Sequence, residues 1–244
     1  MSAAVTYTRY ELLRTFRNLR FFIFSLAFPL ILFLIVGGSN KNADPLGGIP
    51  FPVYYLAGMV SWGTMTAVVA GGARIAAERS VGWNRQLRLT PLSPRTYFRA
   101  KVLTGYVMSL ASIAVLYIAA IAIGVRMPAD HWLRMTGLVL VGLIPFAALG
   151  VWLGHVLSID SMGPAMGGIT SLFALLGGAW GPLTSHGFMH HIVELLPSYW
   201  LVQAGHAAYT EQSWSGKGWI VIAVWTAAFA ALAVRAYRND TKRV

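Results

Sequence analysis

Six histidines, one Ser–His–Asp grouping and a densely basic stretch are the parts of this 244-residue chain with chemistry in reach. His155, Ser158 and Asp160 supply the side-chain types of a base, a nucleophile and an orienting acid. Such triads are assembled by geometry, so closeness in sequence is no support for one; we read the three as a polar cap leading into a turn. His186 and His190 stand four residues apart, which places two ligands on one helix face, and Glu194 follows His190 by the same step. We take the histidines as polar tips at an interface, and expect no metal. Without cysteine, disulfides and thiolate metal sites are excluded. The most informative stretch is Ala73 to Lys101, with Arg74, Glu78, Arg79, Arg85, Arg88, Arg95, Arg99 and Lys101.

These side chains must be positioned by elements unlike those of a soluble enzyme. Hydrophobic residues make up 57% of the chain and charged ones 11%, against about 25% charged in a typical soluble domain. A mean hydropathy of +0.61 points to a polytopic membrane protein. A membrane helix needs about 20 mostly apolar residues, and six stretches qualify: Phe21–Gly38, Pro52–Ala73, Val102–Gly124, Trp132–Val156, Met162–Leu183 and Gly218–Val234. The first is read as a retained span, its apolar run being longer than that of a signal peptide.

Charge sets the topology. With both termini cytoplasmic, the inner segments hold fifteen of the nineteen Lys and Arg residues. The outer side keeps Lys41, Arg126, Arg134 and Lys217, which satisfies the positive-inside rule. A net charge of +11 is thereby explained by lipid and topology, and nucleic acid is not an expected partner.

Residues 1–20 read as a basic amphipathic helix lying in the inner interface, with Val5, Leu12, Leu13 and Phe16 near helical spacing. Ser39–Pro50 reads as a short outer turn. The segment 184–217 is too apolar for a plain loop and reads as one or two short helices at, or dipping into, the outer leaflet. Trp200, Trp214 and Trp219, with Trp132 and Trp180, are expected in the headgroup layer. Small residues repeat every four positions at Gly150/Gly154, Gly163/Gly167/Ser171 and Gly177/Gly181, a spacing that lets helix backbones approach closely.

The basic stretch can be parsed by its breakers. Span two continues as helix past the membrane through Glu78, and Gly82 gives a swivel. Trp83–Leu89 makes a short helix that Thr90-Pro91 stops. Ser93 caps the next helix and Pro94 is its first residue. From Pro94 to Gly124 is about 46 Å of helix, more than the hydrocarbon core. A short crosswise helix on two projecting stalks has the shape of a lever.

The run Glu78, Arg79, Gly82, Leu87, Thr90, Pro91, Leu92, Ser93, Tyr97 and Lys101 resembles the loop between spans two and three of ABC-2-type transporter permeases, close to the daunorubicin-resistance and multidrug-export branch. Trp83-Asn84 departs from the small-then-charged pair common there. The resemblance implies an all-α membrane protein with a single transmembrane domain over 1–244. It has six spans, an interfacial amino-terminal helix, a cytoplasmic coupling helix within 74–101 and semi-buried outer helices before span six. It implies a multi-pass protein of the bacterial cytoplasmic membrane that works as a dimer, of like or related chains, with two cytoplasmic ATPase subunits. Glu78, Arg79, Gly82, Trp83, Leu87, Arg88, Thr90, Pro91 and Leu92 would form the ATPase contact. No Gly-x-x-x-x-Gly-Lys-Ser/Thr phosphate loop occurs in the chain, so ATP and Mg are expected on the partner.

The spans hold almost no ionisable groups, which argues against proton-driven carriage and suggests a pathway lined by groups such as Trp62, Thr64, Met65 and Thr66. The expected activity is export of a hydrophobic or amphiphilic small molecule. Alternatives are export of a lipid-linked glycan or polymer and, from another class, an intramembrane serine protease, for which no span supplies a Ser and His pair at matching depth.

Overall fold

The computed structural model describes residues 3–17, 19–83, 86, 89, 90, 92–183 and 187–242. The described residues are helical almost throughout, with one isolated β-bridge between Leu46 and Ile49. Helix α1 is Ala3–Arg17, and α2 is Leu19–Leu32, which runs on through a π-turn at Phe33–Gly37. Then come α3 (Phe51–Ser80), α4 (Pro94–Ala122), α5 (Ala129–Gly142), α6 (Ile144–Val156), α7 (Ile159–Gly177), α8 (Phe188–Val193), α9 (Pro197–Tyr209) and α10 (Gly216–Lys242). Among the described residues, five helical stretches are long and apolar enough to cross a membrane: Phe51–Ser80, Arg95–Ala122, Ala129–Val156, Ile159–Gly177 and Gly216–Asp240. Leu26–Gly37 is a shorter apolar helix, continuous with the rest of α2.

Helix α3 is the hub, packed against α2, α4, α6, α7 and α9. Its crossing with α6 is backbone to backbone. A methyl group built on Gly72 would stand 1.8 Å from the Gly150 carbonyl oxygen, and one on Gly154 would stand 2.4 Å from that of Gly72. The Gly150/Gly154 pair is therefore spent inside the chain. Gly163 and Gly167 are exposed on α7 and would meet nothing within 4 Å.

Several boundaries differ from the sequence reading for local reasons. The fourth span is two helices, because Pro145 near the start of α6 has no N–H to give the preceding turn. The fifth ends at Gly177, not Leu183, since Gly178 adopts a left-handed φ of 80° and closes the helix. The sixth runs past Val234 as helix to Lys242. Of the outer segment, α9 lies against α3, α5, α7 and α10 with Leu201, Ala204 and Ala208 buried. Ser61 of α3 donates to the Leu201 carbonyl at 2.9 Å. Trp200 and Trp214 are accordingly interior, 6% and 4% exposed, whereas Trp180 and Trp219 are exposed. Trp200 covers Gly218 and donates to the Glu194 carbonyl at 2.8 Å.

Candidate functional site

The polar chemistry of the bundle gathers at one end, where α1, α3, α4, the α6–α7 turn and the tail of α10 meet. Helix α3 reaches Ser80 and α4 starts at Pro94, so both carry side chains past their apolar windows. Ser93 fixes the start of α4 by accepting from the Thr96 N–H at 3.3 Å. One and two turns on, Tyr97 and Lys101 face α3.

Lys101 is 2% exposed. Its ammonium donates to Glu11 Oε1 at 2.6 Å and to Glu78 Oε1 at 2.5 Å. The Tyr97 hydroxyl donates to Glu78 Oε2 at 2.7 Å. Arg74 lies 3.6 Å from Glu11 and also bonds the Thr15 hydroxyl, while Arg14 reaches Glu78 at 3.4 Å. Two buried carboxylates thus share one ammonium and are flanked by two guanidiniums, so every charge has an opposite partner. This is the condition under which buried ions are tolerated. The clasp joins α1, α3 and α4. Tyr7 on α1 stacks obliquely 6.1 Å from Tyr97, and burial, then Glu78 and Glu11, hold its hydroxyl protonated well above the usual tyrosine range.

A second tie lies beside it. Arg79 grips Asp240 of α10 through Nε and Nη2 at 2.9 and 3.0 Å. Its Nη1 donates to the carbonyls of Gly154 and Leu157 at 3.1 and 3.3 Å, two acceptors left open by the end of α6. His155 Nδ1 lies 3.3 Å from the same Asp240. The Ser–His–Asp grouping is therefore not brought together. Ser158 caps α7, accepting from the Ser161 N–H at 3.3 Å, and Asp160 is exposed in the next turn.

Above the clasp sits an exposed elbow. Gly82 adopts φ 70° and Trp83 is again helical. Leu89 is 90% exposed, Val81 74% and Trp83 40%. Thr90 is exposed and its hydroxyl accepts from the Leu92 N–H at 3.4 Å, with Leu92 half-buried. Of the residues expected to form the coupling contact, Gly82, Trp83, Thr90 and Leu92 belong to this elbow, and Leu87, Arg88 and Pro91 lie outside the described residues. Glu78 and Arg79 are turned inward. Their carboxylate and guanidinium hold helices together instead of facing solvent, because the helix they share brings both against unlike charges.

The expected pathway residues sit mid-helix in α3. Trp62, Thr64 and Met65 are buried and Thr66 is half-buried. Trp62 packs edge-on to Phe28 and Trp180, each 5.2 Å away, and Thr64 donates back to the Val60 carbonyl at 2.7 Å. At the opposite end of the bundle His190 and Lys217 lie 3.4 and 2.6 Å from Glu194, and His186 lies outside the described residues.

Sequence reading missed Glu11, Arg14, Arg74 and Asp240 as site residues. A signal existed: the chain has only eight carboxylate side chains, and Glu11 and Asp240 are each the lone acid of an otherwise basic helix or helix end.

Comparison with known proteins agrees with this anatomy. Residues 51–235 match the family described as ABC-2 family transporter protein. A protein of Bacillus subtilis (strain 168), named "Putative transport permease YvfS", is 31% identical over 193 residues, 78% of either chain.

Proposed function

Because the chain belongs to the ABC-2 family of transporter proteins and is a polytopic helical transport permease, we propose that it is the membrane half-unit of an ATP-driven exporter. Its elbow is the surface a separate cytoplasmic ATPase pushes on. The cargo is a hydrophobic or amphiphilic small molecule moved outward, and the unit works as a pair of like or related chains with two ATPase subunits. In this reading the basic end, both termini included, faces the cytoplasm of a bacterial inner membrane.

One observation carries the proposal: an exposed apolar elbow, Val81, Trp83 and Leu89, is mounted on a buried ionic clasp. Exposed apolar side chains gathered on one loop among charged residues mark a surface for a partner. The clasp ties α1, α3 and α4 together at the roots of the elbow, so that a push on the elbow is passed to helices already joined to one another. Differential contact with two ATPase states is what any such coupling requires.

The chain has no cysteine, so a single Cys at Leu89 reports on this surface alone. Co-expressed with its cognate ATPase, the L89C chain is expected to lose maleimide reactivity as the complex forms and to crosslink to the ATPase. Full reactivity of L89C in a complex that transports would refute the assignment, as would absence of any phosphate-loop ATPase from the purified complex.

A further inference from the structure

Helix α1 has two working faces. Tyr7, Glu11 and Thr15 turn toward α3 and α4 and enter the clasp. The other face meets α4 across a cleft of about 1100 Å³, larger than the roughly 300–1,000 Å³ of a drug-sized pocket. Its walls are apolar: Leu12 and Leu13 from α1 face Val102 and Leu103 from α4. Two cations interrupt them, Arg9 and Arg99, one from each helix. Arg14, Arg74 and Arg79 each have a carboxylate partner, whereas neither Arg9 nor Arg99 has one among the described residues. The cleft therefore pairs long apolar walls with two guanidiniums, one from each helix, that have no carboxylate partner among the described residues.

That chemistry selects its occupant. A soluble anion would satisfy the arginines and leave the walls wet, and a neutral lipid would fill the walls and leave the arginines without an anion. A molecule with a phosphate diester and acyl chains satisfies both, since planar guanidiniums favour phosphate oxygens. The position fits as well. Helix α1 is a basic amphipathic helix of the interfacial kind, and its end of the bundle is the basic one, the side on which anionic lipids attract Lys and Arg. We propose that the α1–α4 cleft is a binding site for one anionic phospholipid. The phosphate bridges Arg9 and Arg99, and the acyl chains lie along Leu12, Leu13, Val102 and Leu103. The lipid braces α1 against α4 on the face opposite the clasp.

The test needs neither ATP nor cargo, so its failure is separate from failure of the exporter reading. The full chain is reconstituted with spin-labelled phosphatidylglycerol or spin-labelled phosphatidylcholine, and the motionally restricted fraction is read by electron paramagnetic resonance. The expected result is a preference of about tenfold for phosphatidylglycerol, falling with added salt. R9Q/R99Q abolishes the preference with helicity unchanged. L103W, which fills the cleft without touching charge, lowers the restricted fraction of phosphatidylglycerol. Equal retention of the two lipids by the unaltered chain overturns the proposal. So does a preference that survives in R9Q/R99Q. Displacement of the restricted lipid by inorganic phosphate at constant ionic strength also overturns it, in favour of a simple anion site.

Discussion

Replacing Lys101 by Met tests whether the clasp is an energetic unit. The side chain is fully enclosed and, among the described residues, its ammonium is the only group that touches both Glu11 and Glu78 at under 3 Å. Removing it leaves two carboxylates facing one another at low dielectric, with only the longer contacts of Arg74 and Arg14 and the Tyr97 hydroxyl to offset them. Breaking a buried pair from one side costs about 3–5 kcal/mol. On the scale of domains of 150–250 residues, this lowers Tm by about 6–20 °C. The cost comes mainly from the stranded charge. Glu11→Gln in the same chain removes one carboxylate and leaves Glu78 its hydroxyl and guanidinium partners. E11Q/K101M is therefore expected to regain at least half of the loss, a coupling of at least about 1.5–2.5 kcal/mol in a double-mutant cycle. The assay is thermal unfolding of the purified chain in one detergent, followed by circular dichroism, for the parent, both single variants and the double. Additive losses in E11Q/K101M would refute the reasoning, because the two groups would then contribute independently and the clasp would be an incidental cluster.

Three further outcomes follow from the same geometry. Gly72→Ala is expected to lower thermal stability sharply, since its methyl group would meet the Gly150 carbonyl at 1.8 Å, while Gly167→Ala, with nothing within 4 Å, leaves it unchanged or raises it; equal effects in a melting assay would contradict the α3–α6 crossing. Tyr97→Phe removes one charge-assisted bond to Glu78 and should cost about 1.5–3 kcal/mol, read as a drop in Tm with helicity retained. At the other end of the bundle, the Lys217 ammonium bonded to Glu194 holds that carboxyl below its ordinary range, against a smaller opposing effect of burial. A carboxyl depressed on folding contributes stability above its unfolded pKa and loses it as pH falls through the folded value. The tie is therefore full at neutral pH and lost in acid below the usual carboxylate range. The pair is partly exposed, so the loss is under about 1 kcal/mol. Lys217→Gln should remove this part of the acid sensitivity in pH-resolved melts, and an unchanged acid slope would count against the pairing.

The breakers in the basic stretch were legible because each acts within a few residues. Gly82 takes the left-handed φ that its missing Cβ permits, and Ser93-Pro94 opens α4 with the serine bonded to Thr96. The exit of α3 past Glu78 followed from helical continuity. The direction in which Glu78 and Arg79 point did not. Both lie in a motif read as a contact surface, and both are turned into the protein by partners on other helices, Glu78 by Tyr97 and Lys101 of α4 and Arg79 by Asp240, 161 positions away. Nor was the burial of individual tryptophans legible: Trp219 is exposed while Trp200, on α9, is enclosed against Gly218.

Apolar run lengths and the distribution of nineteen cations fixed a helical membrane bundle and marked one end as basic. These are properties of single segments in a given solvent, and so they can be read one segment at a time. Whether Lys101 is a solvated charge or the centre of a buried cluster depends on where α1 and α3 lie against α4. That is settled by close approach of α3 to α4 at Gly71 and Gly105 and by the pairing of charges from distant segments. Burial and ion pairing are relations between segments, with energies that exist only once the helices have packed. The clasp, the elbow it supports and the cleft behind α1 were accordingly decided by the tertiary structure.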